Sequence, residues 1–312
     1  VLARNLRKRN EVFKVIGKSF LGAIPLILTF EMITPNFSFS ILLGNIIFVL
    51  GSLGITAILV IGFLPLLESL FNVLTDINLM EYMDPNNPLL RKLSLEMPGT
   101  YQHSLVLGNI AENAAQSIGA NGLLCRVATL FHDIGKLNNI HFFSENQGNK
   151  LGNVHQLLTP MESAQVIISH VNDGVMLAKK YHLPQAFIDL ILEHHGTTLV
   201  YYFYHQELQK KGGDPSLVDE KMFRYPGPKP HSKEAVIIMI SDAVEAASRS
   251  IEEPSEDSLK EMVNKVVADK LNDGQFAYSN LTFNELEKVK ESIVQTLVVI
   301  RHVRVKYPEK TV

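Results

Sequence analysis

A long stretch without ionisable side chains constrains the fold of this chain more than any other feature. No Asp, Glu, Lys, Arg or His occurs between Met32 and Leu67, and roughly 20 apolar residues are enough for a helix to cross a bilayer. An earlier stretch, residues 12–33, is apolar apart from two lysines and one glutamate. Thr34-Pro35-Asn36 provides a turn between them. We therefore predict a helical hairpin with two membrane spans, at about 12–33 and 41–67, within a transmembrane region 1–67.

The distribution of charge predicts the orientation of this hairpin. Four of the six residues in Arg4–Arg9 are basic, whereas the tip Asn36-Phe37-Ser38 carries no charge. The positive-inside rule places the first residues, and everything after Leu67, in the cytoplasm. A cleaved signal peptide and a buried hairpin of a soluble protein are the alternatives. Two long apolar runs without a small-residue cleavage site disfavour the first of them.

The rest of the chain is predicted to be all-α. Residues 68–98 read as an amphipathic linker whose helix continues out of the bilayer until Asp84-Pro85 breaks it. Within residues 99–312, no strand alternation is seen, and Gly212–His231, which is rich in proline, is predicted to be a long irregular loop. Apolar residues recur with helical period at Ser104–Ile118, Leu123–Gly135, Pro160–Tyr181, Pro184–His194, Lys233–Ser250, Ser255–Asn272 and Phe283–Val305.

Charge and cysteine usage exclude several classes of protein. The formal net charge of −3 argues against a broad surface for polyanions, so no DNA or RNA duplex is expected as a partner. Cys125 is the one cysteine of the chain. A single thiol rules out a disulfide framework and a cysteine-rich zinc site.

Histidines and aspartates stand on otherwise apolar helices in several distant parts of the chain. The candidate metal ligands are His103, His132, Asp133, His170, His194, His195 and Asp242. Each could instead be a hydrogen-bonded core histidine or a capping aspartate. If all of these alternatives held, several buried polar groups would each need a separate hydrogen-bond partner. Convergence on a metal explains all of these residues together. Imidazole and carboxylate without thiolate suit iron, manganese, zinc or nickel.

The other histidines are assigned no metal role. We interpret His141, His182, His205, His231 and His302 as surface residues, and the role of His155 is left open.

The arrangement of a first His, a His-Asp pair and a distant Asp resembles the HD superfamily of metal-dependent phosphohydrolases. Longer segments resemble the seven-transmembrane HD family, whose PgpH-type members hydrolyse cyclic di-AMP. They are PLLRKLSLEMPGTYQHSLVLGNIAENAAQSIGAN, HDIGK, ENQ, ISHVNDGVMLAKKYHLP, EHHGTTLVYYFYH, FRYPGPKP and SDAVEAASRS. One departure is visible, because Val154-His155-Gln156 stands where the family pattern has proline followed by His-Asp. This departure puts a family role for His155 in doubt.

The resemblance implies a helical HD domain behind a membrane hairpin, in the cytoplasmic membrane of a bacterium, with two divalent ions, iron or manganese. One ion would be held by His103, His132, Asp133 and Asp242. The second would be held by His170, His194 and His195, with Asp133 bridging both.

The implied activity is metal-assisted hydrolysis of cyclic di-AMP to linear pApA, with Asp133 and Lys136 as catalytic residues. Lys136, one turn past His132, is placed to meet a phosphate oxygen. Arg249 shares a helix face with Asp242, so it could contact phosphate or form a salt bridge with Glu245. Tyr225 is predicted to line the base pocket.

Two rival functions and one assembly question stay open. The domain could hydrolyse another nucleotide, such as cyclic di-GMP or an alarmone, although the GYP triplet of the cyclic di-GMP subgroup is absent after His194-His195. It could also be a non-catalytic membrane signalling receptor, against which a complete ligand set argues. The amphipathic linker could pair two chains as a homodimer.

Overall fold

Two apolar helices form the membrane part of the chain. The computed structural model describes residues 11–35, 37–71, 73–146 and 154–301 and divides into two units, Val1–Asp84 and Pro85–Val312. In the first unit, α1 spans Glu11–Ile33 and α2 spans Phe39–Phe71, and both are long and apolar enough to cross a membrane. Most of their large apolar side chains are exposed, as a lipid-facing surface requires. The predicted hairpin is confirmed.

Polar atoms join the two membrane helices near the hairpin tip. Glu31 is buried, and its Oε1 accepts a hydrogen bond from Asn45 Nδ2 at 2.5 Å. In an apolar medium, such a contact between helices satisfies groups that lipid cannot solvate. The pair therefore links α1 to α2.

The linker is not one continuous helix, so that prediction is wrong. Helix α2 ends at Phe71, and a separate short helix, α3, spans Asp76–Tyr82. Thr75 caps α3 by accepting from the backbone N–H of Asn78 at 3.2 Å, and its hydroxyl donates to Glu68. This side-chain cap marks the start of α3 as a new helix.

The second unit is a bundle of helices around α5. Its helices are α4 (Pro88–Glu96), α5 (Pro98–Ser117), α6 (Gly122–Thr129), α7 (Pro160–Lys180), α8 (Gln185–Glu193), α9 (Tyr201–Lys210), α10 (Lys233–Ser248), α11 (Glu256–Asn272) and α12 (Phe283–Ile300). Helix α5 packs against α6, α10 and α12, while α7 packs against α8, α9 and a 3₁₀ turn at Ile134–Asn138. The all-α prediction is confirmed. Within the described ranges no β-strand occurs, and Leu199 and Arg224 form an isolated bridge.

Some local predictions differ from the structure, one agrees with it, and others lie outside the described residues. Helix α6 ends at Thr129, before His132, and α9 was not predicted. The segment Gly212–His231 is irregular as predicted, with two short 3₁₀ turns. Outside the described residues lie Arg4–Arg9, Asn36, His302 and the predicted helix end at Val305.

Candidate metal centre

Five parts of the HD unit bring polar side chains to one place. His103 lies on α5, His170 on α7 and Asp242 on α10, all facing inward from apolar helices. The pair His132-Asp133 follows the end of α6, and His194-His195 follows the end of α8. Beyond a helix end the backbone turns away from helical spacing, so adjacent side chains can point at the same centre.

Asp133 lies at the middle of this cluster. Its Oδ2 is 3.2 Å from His132 Nε2. Its other oxygen, Oδ1, is 3.3 Å from His170 Nε2 and 3.8 Å from His194 Nε2. One carboxylate thus faces two separate sets of imidazoles.

Asp242 connects two further histidines on the other side. Its Oδ1 is 3.1 Å from His103 Nε2, and its Oδ2 is 3.7 Å from His195 Nδ1. The ligand atoms fall into two groups with separations within 4.8 Å, His103 with His132 and Asp242, and Asp133 with His170, His194 and His195. The structure therefore brings all seven predicted ligands together.

The outer ring nitrogens fix the direction in which three of the imidazoles point. His132, His170 and His194 donate from Nδ1 to the carbonyls of the residues three positions earlier, at 2.7, 2.6 and 2.7 Å. A carbonyl can only accept, so Nδ1 carries the proton and Nε2 faces the centre. This is the outer hydrogen bond that metal-ligating histidines usually make.

Two observations test whether a cation fits. In the parts of the chain that the structure describes, His132 Nε2 and Asp133 Oδ1 are buried without a hydrogen-bond partner, which is costly unless something binds them. His170 Nε2 and His194 Nε2 lie 3.3 Å apart. Both rings donate from Nδ1, so a proton between them would require a charged ring, which burial opposes. Facing lone pairs of this kind suit a divalent cation.

The electrostatics of the centre favour the forms of these residues that bind metal. Burial, followed by the neighbouring His132 and His170, lowers the pKa of His194 to about 3. Burial alone would raise the pKa of Asp133, but His132 and Lys136 hold it well below the usual value. A neutral imidazole and an ionised carboxylate are the ligand forms.

His103 differs from the other histidines. Its Nδ1 contacts Glu245 Oε2 at 2.7 Å rather than a backbone carbonyl. Burial would lower the pKa of His103, but its bonds to Asp242 and Glu245 raise it to about 10. A cation bound at His103 therefore displaces a proton.

Lys136 is held by two carboxylates at the edge of the centre. Its Nζ lies 2.7 Å from Asp133 Oδ2 and 2.7 Å from Glu145 Oε1, and 5.0 Å from the centroid of the Phe143 ring. Lys136 and Glu145 both line a cleft of about 470 Å³ over the metal ligands. The lysine is thus fixed in place rather than extended into solvent.

Arg249 and Tyr225 line the same cleft. The Nη2 of Arg249 lies 2.9 Å from Glu245 Oε1, so the salt bridge that the sequence left open is present. Tyr225 is buried, and its ring stacks on His195 with centroids 4.3 Å apart. Tyr225 therefore covers a predicted ligand as well as forming part of the wall.

The sequence did not predict the roles of two acidic residues beside the centre, Glu145 and Glu245. The structure also places His155, whose role the sequence left open. Glu245 follows Asp242 by three residues on α10, a spacing that could have revealed it. Glu145 lies in the segment ENQ, which resembles the family, but no role was assigned to it. His155 belongs to neither metal group, and its Nε2 lies 2.8 Å from the carbonyl oxygen of Phe142. The four described histidines predicted at the surface, His141, His182, His205 and His231, are exposed.

Comparison with known proteins places both units in one family. The HD domain family matches residues 100–247, and the family described as "7TM receptor with intracellular HD hydrolase" matches residues 1–75. The cyclic-di-AMP phosphodiesterase PgpH of Bacillus subtilis is 44% identical over 256 residues, covering 82% of this chain and 35% of that protein. PgpH of Listeria monocytogenes is 44% identical over 260 residues, covering 83% and 35%. The chain spans about a third of the length of these relatives.

A solved structure matches the second unit. The crystal structure of the HD domain of L. monocytogenes PgpH in complex with cyclic-di-AMP is 43% identical, with a TM-score of 0.66. The match covers 70% of this chain and 99% of that one. With an apolar helical hairpin, a helical domain and a histidine-aspartate cluster in agreement, the chain belongs to the seven-transmembrane HD family, with an HD domain of the PgpH kind.

Proposed function

We propose that this chain is a metal-dependent phosphodiesterase that hydrolyses cyclic di-AMP to linear pApA in second-messenger signalling. The observation that carries the proposal is the inward convergence of seven candidate ligand side chains, two of whose buried acceptor atoms have no hydrogen-bond partner among the described residues. The names of the PgpH relatives supply the substrate.

We assign two divalent ions to this centre, since the donors are nitrogen and oxygen without thiolate, and the resemblance to the seven-transmembrane HD family implies iron or manganese. One ion would be held by His103, His132, Asp133 and Asp242, and the other by His170, His194 and His195. Asp133 could serve both sets, since its two oxygens face different histidines, His132 and His170.

When bound, such ions supply Lewis-acid activation of the phosphodiester and of the attacking water. The residues of the chain position the substrate against them. Lys136, held between Asp133 and Glu145, places a fixed positive charge at the cleft where negative charge develops on the phosphoryl oxygens. Arg249, on the rim, offers a second cation to phosphate, and Tyr225 forms the wall beside His195.

The test is turnover by the chain purified in detergent micelles with Mn²⁺ or Fe²⁺. We expect cyclic di-AMP to give pApA by ion-exchange chromatography. Asp133→Ala should lose bound metal and turnover together, because both sets of histidines lose their shared carboxylate. A fully active Asp133→Ala variant would contradict the shared role of Asp133. Faster turnover of cyclic di-GMP or an alarmone would contradict cyclic di-AMP as the substrate. A metal-loaded chain that hydrolyses no nucleotide would contradict the proposal that the chain is an enzyme.

We also propose that the HD unit is cytoplasmic and that the hairpin lies in the bacterial cytoplasmic membrane. The basic residues Arg4–Arg9 and the uncharged tip support this orientation. Pairing of two chains through residues 68–98 stays a prediction.

A further inference from the structure

His195 is held differently from the other histidines of the metal centre. Three of the others donate to backbone carbonyls, and His103 contacts the carboxylate of Glu245. The ring of His195 has neither kind of bond in the part of the chain that the structure describes. Its Nδ1 lies 3.7 Å from Asp242 Oδ2, and its face stacks on Tyr225. The direction of this ring therefore depends on the backbone around it and on the tyrosine that covers it.

Thr197, two residues after His195, is bound through every polar group it has. Its N–H donates to Gln275 Oε1 at 3.0 Å, and its hydroxyl accepts from Gln275 Nε2 at 3.0 Å. Its carbonyl accepts from Arg224 Nη1 at 2.8 Å. Gln275 also lies against Gly196, where a Cβ would be 2.4 Å from Oε1. Two side chains from distant segments thus fix the backbone that leaves His195.

Asp273 joins these two side chains to each other. Gln275 is fully buried, and its Nε2 donates to Asp273 Oδ2 at 2.7 Å. Arg224 binds both oxygens of Asp273, at 3.1 and 3.0 Å, a two-pronged contact that fixes the guanidinium group. Arg224 directly precedes Tyr225, whose N–H donates to the carbonyl of Thr198 at 3.0 Å. Arg224, Asp273 and Gln275 form one unit, the Thr197 clamp, which holds both supports of the His195 ring.

We propose that the Thr197 clamp positions His195 for the ion assigned to its set of ligands. The inference rests on the proposed function, since it needs an ion at that set. Asp273 and Gln275 follow the end of α11 and lie beyond residues 100–247, which match the HD domain family. A segment outside the matched domain therefore holds one half of the metal centre in place.

The other half of the metal centre has its own supports. His103 is bonded to Glu245 and His132 to the carbonyl of Thr129, and neither contact involves the clamp. Loss of an outer contact typically lowers metal affinity about 10- to 100-fold. Breaking the clamp should therefore weaken one ion and spare the other, which general destabilisation of the fold does not do.

The test measures the two ions separately. The whole chain in detergent is titrated with Mn²⁺ against a fluorescent chelator, which gives an affinity for each ion. Gln275→Ala removes both side-chain bonds to Thr197, and we expect the affinity for one ion to fall about 10- to 100-fold and that for the other to stay unchanged. Thr197→Ser keeps the N–H, the carbonyl and the hydroxyl, so it should bind both ions as the unaltered chain does. Asp273→Asn, at a partly exposed position, should give a smaller loss at the same ion, and it serves if Gln275→Ala does not fold.

Two controls separate positioning from loosening. Val289 is fully buried on α12 and takes no part in the clamp. Val289→Ala should lower the thermal stability but leave both affinities unchanged. His170→Ala removes a ligand of the same set as His195, so adding Gln275→Ala to it should cause no further loss at the ion that remains.

Equal loss at both ions in Gln275→Ala, no loss at either, or the same selective loss in Val289→Ala would overturn the inference. So would a further loss in the double variant or a loss in Thr197→Ser. None of these results affects turnover of cyclic di-AMP by the unaltered chain, so the proposed function would stand. A chain that shows the selective loss but hydrolyses no nucleotide would leave the inference standing without the proposed function. If the unaltered chain binds fewer than two ions, the two-ion centre and the inference fail together.

Discussion

At the scale of single residues, one histidine of the metal centre is oriented differently from three others. The Nδ1 atoms of His132, His170 and His194 bond to backbone carbonyls, which no side-chain substitution removes. His103 depends instead on the carboxylate of Glu245 at 2.7 Å. Glu245 also bonds Arg249 Nε at 2.9 Å. The direction of His103 is therefore open to a test by mutation.

Replacing Glu245 with alanine should weaken metal binding, because His103 loses the partner that holds its ring. Loss of such an outer contact typically lowers metal affinity about 10- to 100-fold. Glu245→Gln keeps an acceptor oxygen, so its metal affinity should lie between those of the unaltered chain and Glu245→Ala. Competition with a fluorescent chelator measures the affinity directly. Glu252→Ala, at an exposed position, is the control, and an affinity equal to that control would show that Glu245 does not position His103.

The sequence allowed the seven inward-facing side chains to be predicted because each is a polar residue within an apolar helix or directly after an apolar helical segment. Their convergence in space agrees with that prediction. Glu145 and Glu245 were missed for a physical reason. Acidic residues near helix ends and on helix faces are usually solvated, and their contacts with Lys136 and His103 depend on packing between distant segments.

At the scale of elements, the metal centre depends on close packing between α7 and the 3₁₀ turn Ile134–Asn138. A Cβ at Gly135 would lie 1.8 Å from the carbonyl oxygen of His170 and 2.4 Å from the backbone nitrogen of Gly174. Neither backbone atom can rotate away. A side chain at Gly135 must therefore push α7, with His170, away from Asp133.

Gly135→Ala should destabilise the HD unit by about 3 kcal/mol or more, at or beyond the upper end of the usual cost of overpacking, and should weaken metal binding. Gly174→Ala is the matched change on the facing helix. Its Cβ would lie 3.0 Å from the Cγ2 of Ile191 and in ordinary contact, at 3.5 and 3.8 Å, with the backbone of Gly135, so we expect a cost of about 1 kcal/mol. Thermal unfolding in detergent, with and without Mn²⁺, compares the two. A smaller loss for Gly135→Ala than for Gly174→Ala contradicts the packing argument.

Helix positions were largely predictable, whereas two helix ends were not. Apolar periodicity identified the helices of the bundle core. It did not reveal that α6 stops at Thr129, because the following 3₁₀ turn is stabilised by packing on α7. Nor did it reveal the break after Phe71, where the Thr75 cap and its bond to Glu68 compete with helix continuation.

At the scale of the whole molecule, an apolar hairpin and a helical metal-binding domain occur in one chain. The length and composition of α1 and α2, and the family match over residues 1–75, make it a membrane protein. The basic residues before α1 predict that the HD unit faces the cytoplasm.

Cysteine accessibility tests this orientation with little background, because the single native thiol, Cys125, is buried. Phe37→Cys places a thiol at the hairpin tip, and Glu252→Cys places one on the HD unit; both positions are exposed. In spheroplasts, a membrane-impermeant maleimide should label Phe37→Cys at once and Glu252→Cys only after lysis. Labelling in denaturant shows that both variants are present in equal amounts. The reverse order of labelling would place the HD unit outside the cell. The four basic residues before α1 would then also lie outside, against the positive-inside rule.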